Sequence, residues 1–149
     1  MYKEGIEIGL KNGLDPGVIA RKIYLSFPTH VFKGKEEMEF ELLNSIKEFF
    51  RIPFSSIKVV GSSKIEYSYV KNKKFIQGQS DLDVAIVDSH LFQFYCESVF
   101  KETIGLTDLS KFGRSSEGVS KYPSYCKYLS KGMFRPDLMP IGQNQQGMV

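Results

Sequence analysis

Apolar positions recur along the chain in blocks that predict a helix, two strands and a further helix at its centre. Between Lys35 and Arg51, positions 39, 42, 43, 46, 49 and 50 follow helical spacing, and all but Glu39 are apolar. Glu36, Glu37, Glu39 and Glu41 crowd the opening turns, where the helix dipole favours acids. Ile52-Pro53 ends this helix. Ile57-Lys58-Val59-Val60 is then a β-branched run that stops at Gly61-Ser62-Ser63, which predicts a strand entering a glycine turn. Leu82 to Val87 predicts a second strand, bounded by Ser80 and by Asp88-Ser89. Ser89 is the expected N-cap of a helix through Leu91, Phe92, Tyr95, Val99 and Phe100 that ends near Gly105.

The flanks carry weaker patterns. Gly5, Gly9, Gly13 and Gly17 are evenly spaced, but their neighbours do not repeat with them, so this stretch reads as a short helical or irregular lead-in. Asp15-Pro16 resembles a helix start, with Val18, Ile19, Ile23 and Leu25 as its apolar stripe and Pro28 as its end. Ile65, Tyr67 and Tyr69 alternate ahead of Lys71-Asn72-Lys73-Lys74, which fits either a hairpin-like excursion or a mobile basic loop. Beyond Gly105, Gly113, Ser115, Ser116 and Gly118 predict loop, and Pro123 limits any helix to about Ser124 to Lys131. Met133 to Pro140 reads as a late strand or extended segment, and the polar run from Gln143 to Gly147 as frayed.

Composition adds limits rather than a function. A length of 149 residues suits one domain, and 42% hydrophobic with 25% charged residues is the balance of a globular protein. Twenty basic against 17 acidic residues leave a net charge of only +3, so inference about partners must rest on local clusters. Cys96 and Cys126 lack any CxxC or Cys/His spacing, and the N-terminus leads into no apolar signal region. A cytoplasmic, reduced protein with free thiols and no membrane span is the expectation. His30 and His90 have no partner at ligand spacing, which assigns them surface or capping roles, and Cys96 is expected in the core.

The chemistry-bearing residues lie at the predicted strands. Alternation along a strand places Asp81 and Asp83 on one side, with Leu82, Val84 and Ile86 on the other. Two adjacent acids on an otherwise apolar strand repel each other and resist desolvation, a conflict that a divalent cation resolves. Mg²⁺ takes oxygen ligands and commonly uses one or two carboxylates together with substrate phosphates. Upstream, Gly61-Ser62 offers backbone N–H groups and a hydroxyl that can approach phosphate oxygens closely. A plain turn is the ordinary use of either motif taken alone.

Together, Val59-Val60-Gly61-Ser62-Ser63 and Ser80-Asp81-Leu82-Asp83-Val84-Ala85-Ile86-Val87 resemble the Gly-Ser and Ser-Asp-x-Asp motifs of the DNA polymerase beta-like nucleotidyltransferases, over roughly residues 35 to 105. The resemblance implies an α/β (α+β) nucleotidyltransferase fold, a small mixed β-sheet flanked by helices. We expect a single domain over 1–149, with a helical lead-in at 1–34, a motif-bearing core at 35–105 and a C-terminal part at 106–149, which a larger enzyme would continue. The implied reaction transfers a nucleoside monophosphate from an NTP to an acceptor, whether nucleotide, nucleic acid or protein, and releases pyrophosphate.

In that reading Asp81 and Asp83 bind Mg²⁺, with Mn²⁺ as an alternative, and Gly61, Ser62, Ser63 and Ser80 meet the phosphates. The family carries a third carboxylate on a later strand. Of Asp108, Glu117 and Asp137 we choose Asp137, although Pro136 would restrict its segment to a sheet edge or bulge. Seventeen residues separate Ser62 from Ser80, longer than a compact family member needs, so an insertion carries Lys71, Lys73 and Lys74. These lysines either steer a polyanionic substrate or form a solvated loop, and Tyr67 and Tyr69 either stack on a base or serve a sheet face. The alternative function is a catalytically incomplete domain that only binds nucleotide or nucleic acid.

Overall fold

Asp15 caps a helix as its chemistry dictates. In the computed structural model, which describes residues 2–140, its carboxylate accepts from the Val18 amide at 3.1 Å and Pro16 opens the helix. The polar run at 143–147 lies outside the described residues. The chain divides into two compact units, Met1–Val87 and Asp88–Val149, where its length led us to expect one. The division falls between the aspartate strand and the helix after it, so the 35–105 window is shared between the two.

In the first unit, helix α1 (Tyr2–Lys11) and helix α2 (Pro16–Arg21) are joined through a turn at Gly13, and α2 runs on as a π-helical turn over Lys22–Ser26. Ile19 and Ile23 are buried with Tyr2 and Ile65, while Val18 and Leu25 face solvent, so the apolar stripe is narrower than its spacing suggests. His30 is half-buried, not on the surface: its ring stands edge-on to Tyr2 and its Nδ1 has no partner among the described residues.

Helix α3 (Glu36–Phe50) forms as its periodicity predicts and stops where Arg51 turns left-handed ahead of Pro53. Its Leu43 packs with Phe32, Ile52, Ile57 and Val59 in one core, to which Leu42, Ile46 and Phe50 add, whereas Phe49 is exposed. Strand β1 (Ile57–Val60) leads into a short helix α4 (Gly61–Ile65), then strands β2 (Tyr67–Ser68) and β3 (Lys73–Lys74), and strand β4 (Asp83–Ile86).

Strands β1 and β4 pair antiparallel, Ile57 opposite Ile86, Val59 opposite Val84 and Val60 opposite Asp83. Val84 and Ile86 thereby join Ile57 and Val59 on the α3 side, and alternation turns Asp83 to the other face. Strands β2 and β3 form a separate antiparallel hairpin. Two small antiparallel ladders therefore replace the expected mixed sheet. The 22 residues between Val60 and Asp83 carry one short helix and a hairpin closed on itself, and the chain returns beside β1 running the opposite way.

In the second unit, helix α5 (Ser89–Glu102) is capped by Asp88, whose carboxylate accepts from the Leu91 amide at 2.8 Å, so the cap is one residue earlier than Ser89. Helix α6 (Tyr122–Leu129) begins at Tyr122 because Pro123 is tolerated in a first turn, where its missing N–H has no intrahelical partner to lose. Val99, Phe112, Tyr125, Leu138 and Met139 form the core, and Tyr95 stacks on Phe134 with centroids 5.2 Å apart. Cys96 is half-buried and not in the core as expected, and its partial burial pushes its thiol above the usual range. Of the late strand or extended segment expected over 133–140, no strand forms: Arg135 and Met139 are extended, and Pro136–Leu138 between them is a 3₁₀ turn. Among the described residues, no helix is long and apolar enough to cross a membrane.

Candidate functional site

Strand β1 runs into a turn at residue 61 whose left-handed backbone and close contacts favour glycine. Gly61 has φ of +66°, and a β-carbon on it would lie 2.4 Å from Asp83 Oδ2 and 3.2 Å from Asp83 Cγ. The Asp83 carboxylate thus lies against the bare Cα of Gly61, beside the Val60–Asp83 step of the ladder. Twenty-two sequence positions separate these residues, and the fold brings them into contact.

Around this corner the expected site residues divide by what they already bind. Ser62 is half-buried, and its hydroxyl has no partner among the described residues. Ser63 is fully buried and donates to the Val60 carbonyl at 2.9 Å, which turns it into the chain and away from a phosphate role. Ser80 accepts from the Ile76 amide at 3.0 Å and so holds the turn before Asp81.

Asp81 and Asp83 are both exposed, and neither makes a hydrogen bond or ion pair with another described residue. Asp81 precedes β4 rather than lying in it, so strand alternation alone does not set its direction. Their exposure also removes the desolvation conflict expected from the sequence. Water screens the two charges, and no cation is needed to make the fold tolerable. What remains is one free carboxylate, Asp83, beside a glycine, and a second, Asp81, two residues before it in the chain.

Asp137 is not a strand residue. It belongs to the second unit, lies in the Pro136–Leu138 turn, and is gripped bidentately by Arg135, Nε to Oδ1 at 3.0 Å and a terminal nitrogen to Oδ2 at 2.7 Å. Asp108, another candidate third acid, accepts from the Ser110 hydroxyl and amide, which holds its carboxyl below the usual range. Among the described residues, no three His, Cys, Asp or Glu side chains gather into a group that could hold a metal.

Lys64 escaped sequence reasoning. It sits three positions after Gly61 and looks like any solvent lysine, yet it is 5% exposed and donates to the Phe27 carbonyl at 2.7 Å. It lines a cavity of about 220 Å³ with Tyr24, Thr29, Glu39 and Lys58, and the Thr29 hydroxyl donates to Glu39. Burial pushes its ammonium below the usual lysine range, Glu39 partly opposes this and Lys58 adds to it. Lys64→Ala strands the Phe27 carbonyl and is expected to cost roughly 1–3 kcal/mol in urea unfolding. Because the unfolded chain binds this proton more tightly, wild-type stability rises relative to the variant as pH climbs from the lowered value toward the ordinary lysine pKa. A gap that stays constant over that window would refute the assignment.

The basic segment resolves as a hairpin: Lys71, Lys73 and Lys74 are all exposed, with Lys74 opposite Tyr67 and Lys73 opposite Ser68. Comparison of the chain with protein-family models, curated proteins and solved structures finds no match.

Proposed function

We propose that the chain is a Mg²⁺-dependent nucleotidyltransferase, moving a nucleoside monophosphate from an NTP to an acceptor with release of pyrophosphate. The contact between Gly61 and the Asp83 carboxylate carries this reading. It joins the two halves of the Gly-Ser and Ser-Asp-x-Asp resemblance, which sequence separates.

The donor set fits the cation. Asp81 and Asp83 present hard oxygen donors that no other described residue occupies, and Mg²⁺ is commonly held by one or two carboxylates with phosphates and water completing its shell. When bound, divalent cations in such sites activate the attacking oxygen and steady the leaving one. Gly61, lacking a side chain, lets the Asp83 carboxylate close on the turn, and the Ser62 hydroxyl beside it is free to donate to a phosphate oxygen. In the transfer an acceptor oxygen forms a bond to the α-phosphorus, the α–β bridging bond breaks, the acceptor proton leaves to solvent or a base, and pyrophosphate departs.

A second reading has its own support. Arg135 binds both oxygens of Asp137, no three metal-ligating side chains gather among the described residues, and a domain that binds nucleotide without turning it over fits those observations. Incubating the chain with each of the four NTPs, Mg²⁺ and an acceptor of each class in turn, a second nucleotide, an oligonucleotide and protein including the chain itself, separates the two. The transferase should release pyrophosphate in step with label incorporated from an α-labelled NTP, and EDTA should stop both. Calorimetric binding of Mg-NTP without any pyrophosphate would favour the binding domain, and no binding of any NTP would refute both.

A further inference from the structure

Between the two halves of the candidate site the chain rises into a hairpin whose side chains the transfer chemistry does not use. Asn72 makes its turn at φ of 50°, a conformation asparagine tolerates, and the Phe75 amide closes its base on the Glu66 carbonyl at 2.9 Å. Lys71, at the tip, and Lys73 and Lys74, on β3, are exposed, and none is ion-paired to another described residue. Cross-strand pairing puts Lys74 on the face of Tyr67.

The two tyrosines on this element differ in availability. Tyr67 is occupied, its hydroxyl bonded to Asn72 and its ring covered by the Lys3 ammonium, 4.4 Å from the centroid. Tyr69 stands edge-on to Tyr67 at 5.3 Å and remains 48% exposed. The acids nearby are few: Glu66 is half-buried at the base, and Glu7 lies 3.8 Å from the Lys3 ammonium. Cations that follow a phosphate backbone, beside an aromatic ring that a base can cover, are the two components of single-strand recognition. A duplex hides its base faces, and an anionic lipid surface offers nothing planar to Tyr69.

We propose that the hairpin Tyr67–Lys74 binds single-stranded nucleic acid, its lysines meeting phosphates and Tyr69 stacking on a base. The binding goes beyond the transfer reading and needs no divalent cation. Anisotropy of fluorescent oligo(dT) and oligo(U), measured in EDTA, tests it. Three lysine contacts predict a log–log salt slope of about −2, or roughly 16-fold weaker binding between about 50 and 200 mM salt.

Lys71→Ala/Lys73→Ala/Lys74→Ala should flatten that slope by about 2. Tyr69→Leu should weaken binding about 5- to 150-fold and leave the slope unchanged. Asp83→Asn should bind oligonucleotide like wild type, so loss of transfer and loss of strand binding are read separately. No oligonucleotide binding by a chain that melts normally would overturn the proposal, as would unchanged binding by the triple variant. Equal binding of inorganic polyphosphate or phosphatidylserine vesicles, indifferent to Tyr69→Leu, would overturn it in favour of a plain polyanion surface.

Discussion

Asp83→Asn is expected to lower Mg²⁺-dependent pyrophosphate release about a thousandfold. The amide is nearly isosteric, so the packing against Gly61 and the β1/β4 ladder stay in place and the loss is one of charge. A bound cation supplies several kcal/mol of charge stabilisation in the transition state. Weakening its hold by roughly 4 kcal/mol gives three decades at about 1.4 kcal/mol per decade. Asp137→Asn is the comparison. It removes an exposed Arg135 ion pair worth at most about 1 kcal/mol, and transfer should stay within about twofold, less than one decade. Initial rates at matched folded fraction, checked by thermal melts, read both. An Asp83→Asn enzyme at wild-type rate would refute the metal-ligand role, and an inactive but folded Asp137→Asn would restore Asp137 as the third ligand.

Gly61→Ala should damage both stability and activity. An L-residue in the left-handed region costs roughly 1–2 kcal/mol before any contact is considered. The added methyl would sit 2.4 Å from Asp83 Oδ2, 3.2 Å from its Cγ and 3.3 Å from its Cβ. The carboxylate can swing away. The Cβ, fixed to β4, moves only with its strand. We expect about 2–3 kcal/mol lost in denaturant unfolding, the upper part from overpacking, and transfer reduced to near the Asp83→Asn level because the displaced carboxylate no longer faces the glycine. The double variant Gly61→Ala/Asp83→Ala separates the causes. Its unfolding cost should fall short of the sum of the singles, since the clash is relieved while the backbone strain remains. Strict additivity would mean that the two residues do not touch in solution.

Legibility followed the size of the buried face. Helix α3 and strands β1 and β4 could be read because a continuous set of apolar side chains, Leu43, Ile57, Val59, Val84 and Ile86, must meet in one core, and periodicity reports that requirement directly. Alternation places Asp81 and Asp83 on one side only if the strand reaches Asp81, and alternation carries no information about where pairing stops. The ladder ends at the Val60–Asp83 pair because Gly61 leaves β1 there.

Among the later acids, Asp137 stands out in sequence only through a segment that reads as extended. The bidentate grip of Arg135, two residues away, is a local interaction that such a pattern does not report. Ser63 and Ser62 look alike in sequence, and only the backbone turn at Gly61 decides that one hydroxyl folds inward while the other stays free. The burial of Lys64 depends on Phe27 and Glu39, contributed by distant segments, and no local pattern encodes that.

The Val60–Asp83 pairing also makes the segment it encloses exchangeable. The chain leaves the ladder and returns to it one step apart, so both motif residues are anchored by β1 and β4 and not by what lies between them. Helix α4 is tied down through Ile65, but from Glu66 to Phe75 the excursion is closed at its own base. Doubling the length of such a loop costs only about 0.6 kcal/mol in closure entropy. Cassettes of different length or charge could therefore be grafted at Glu66 and Phe75, retargeting the protein to new partners while the carboxylate corner is inherited unaltered.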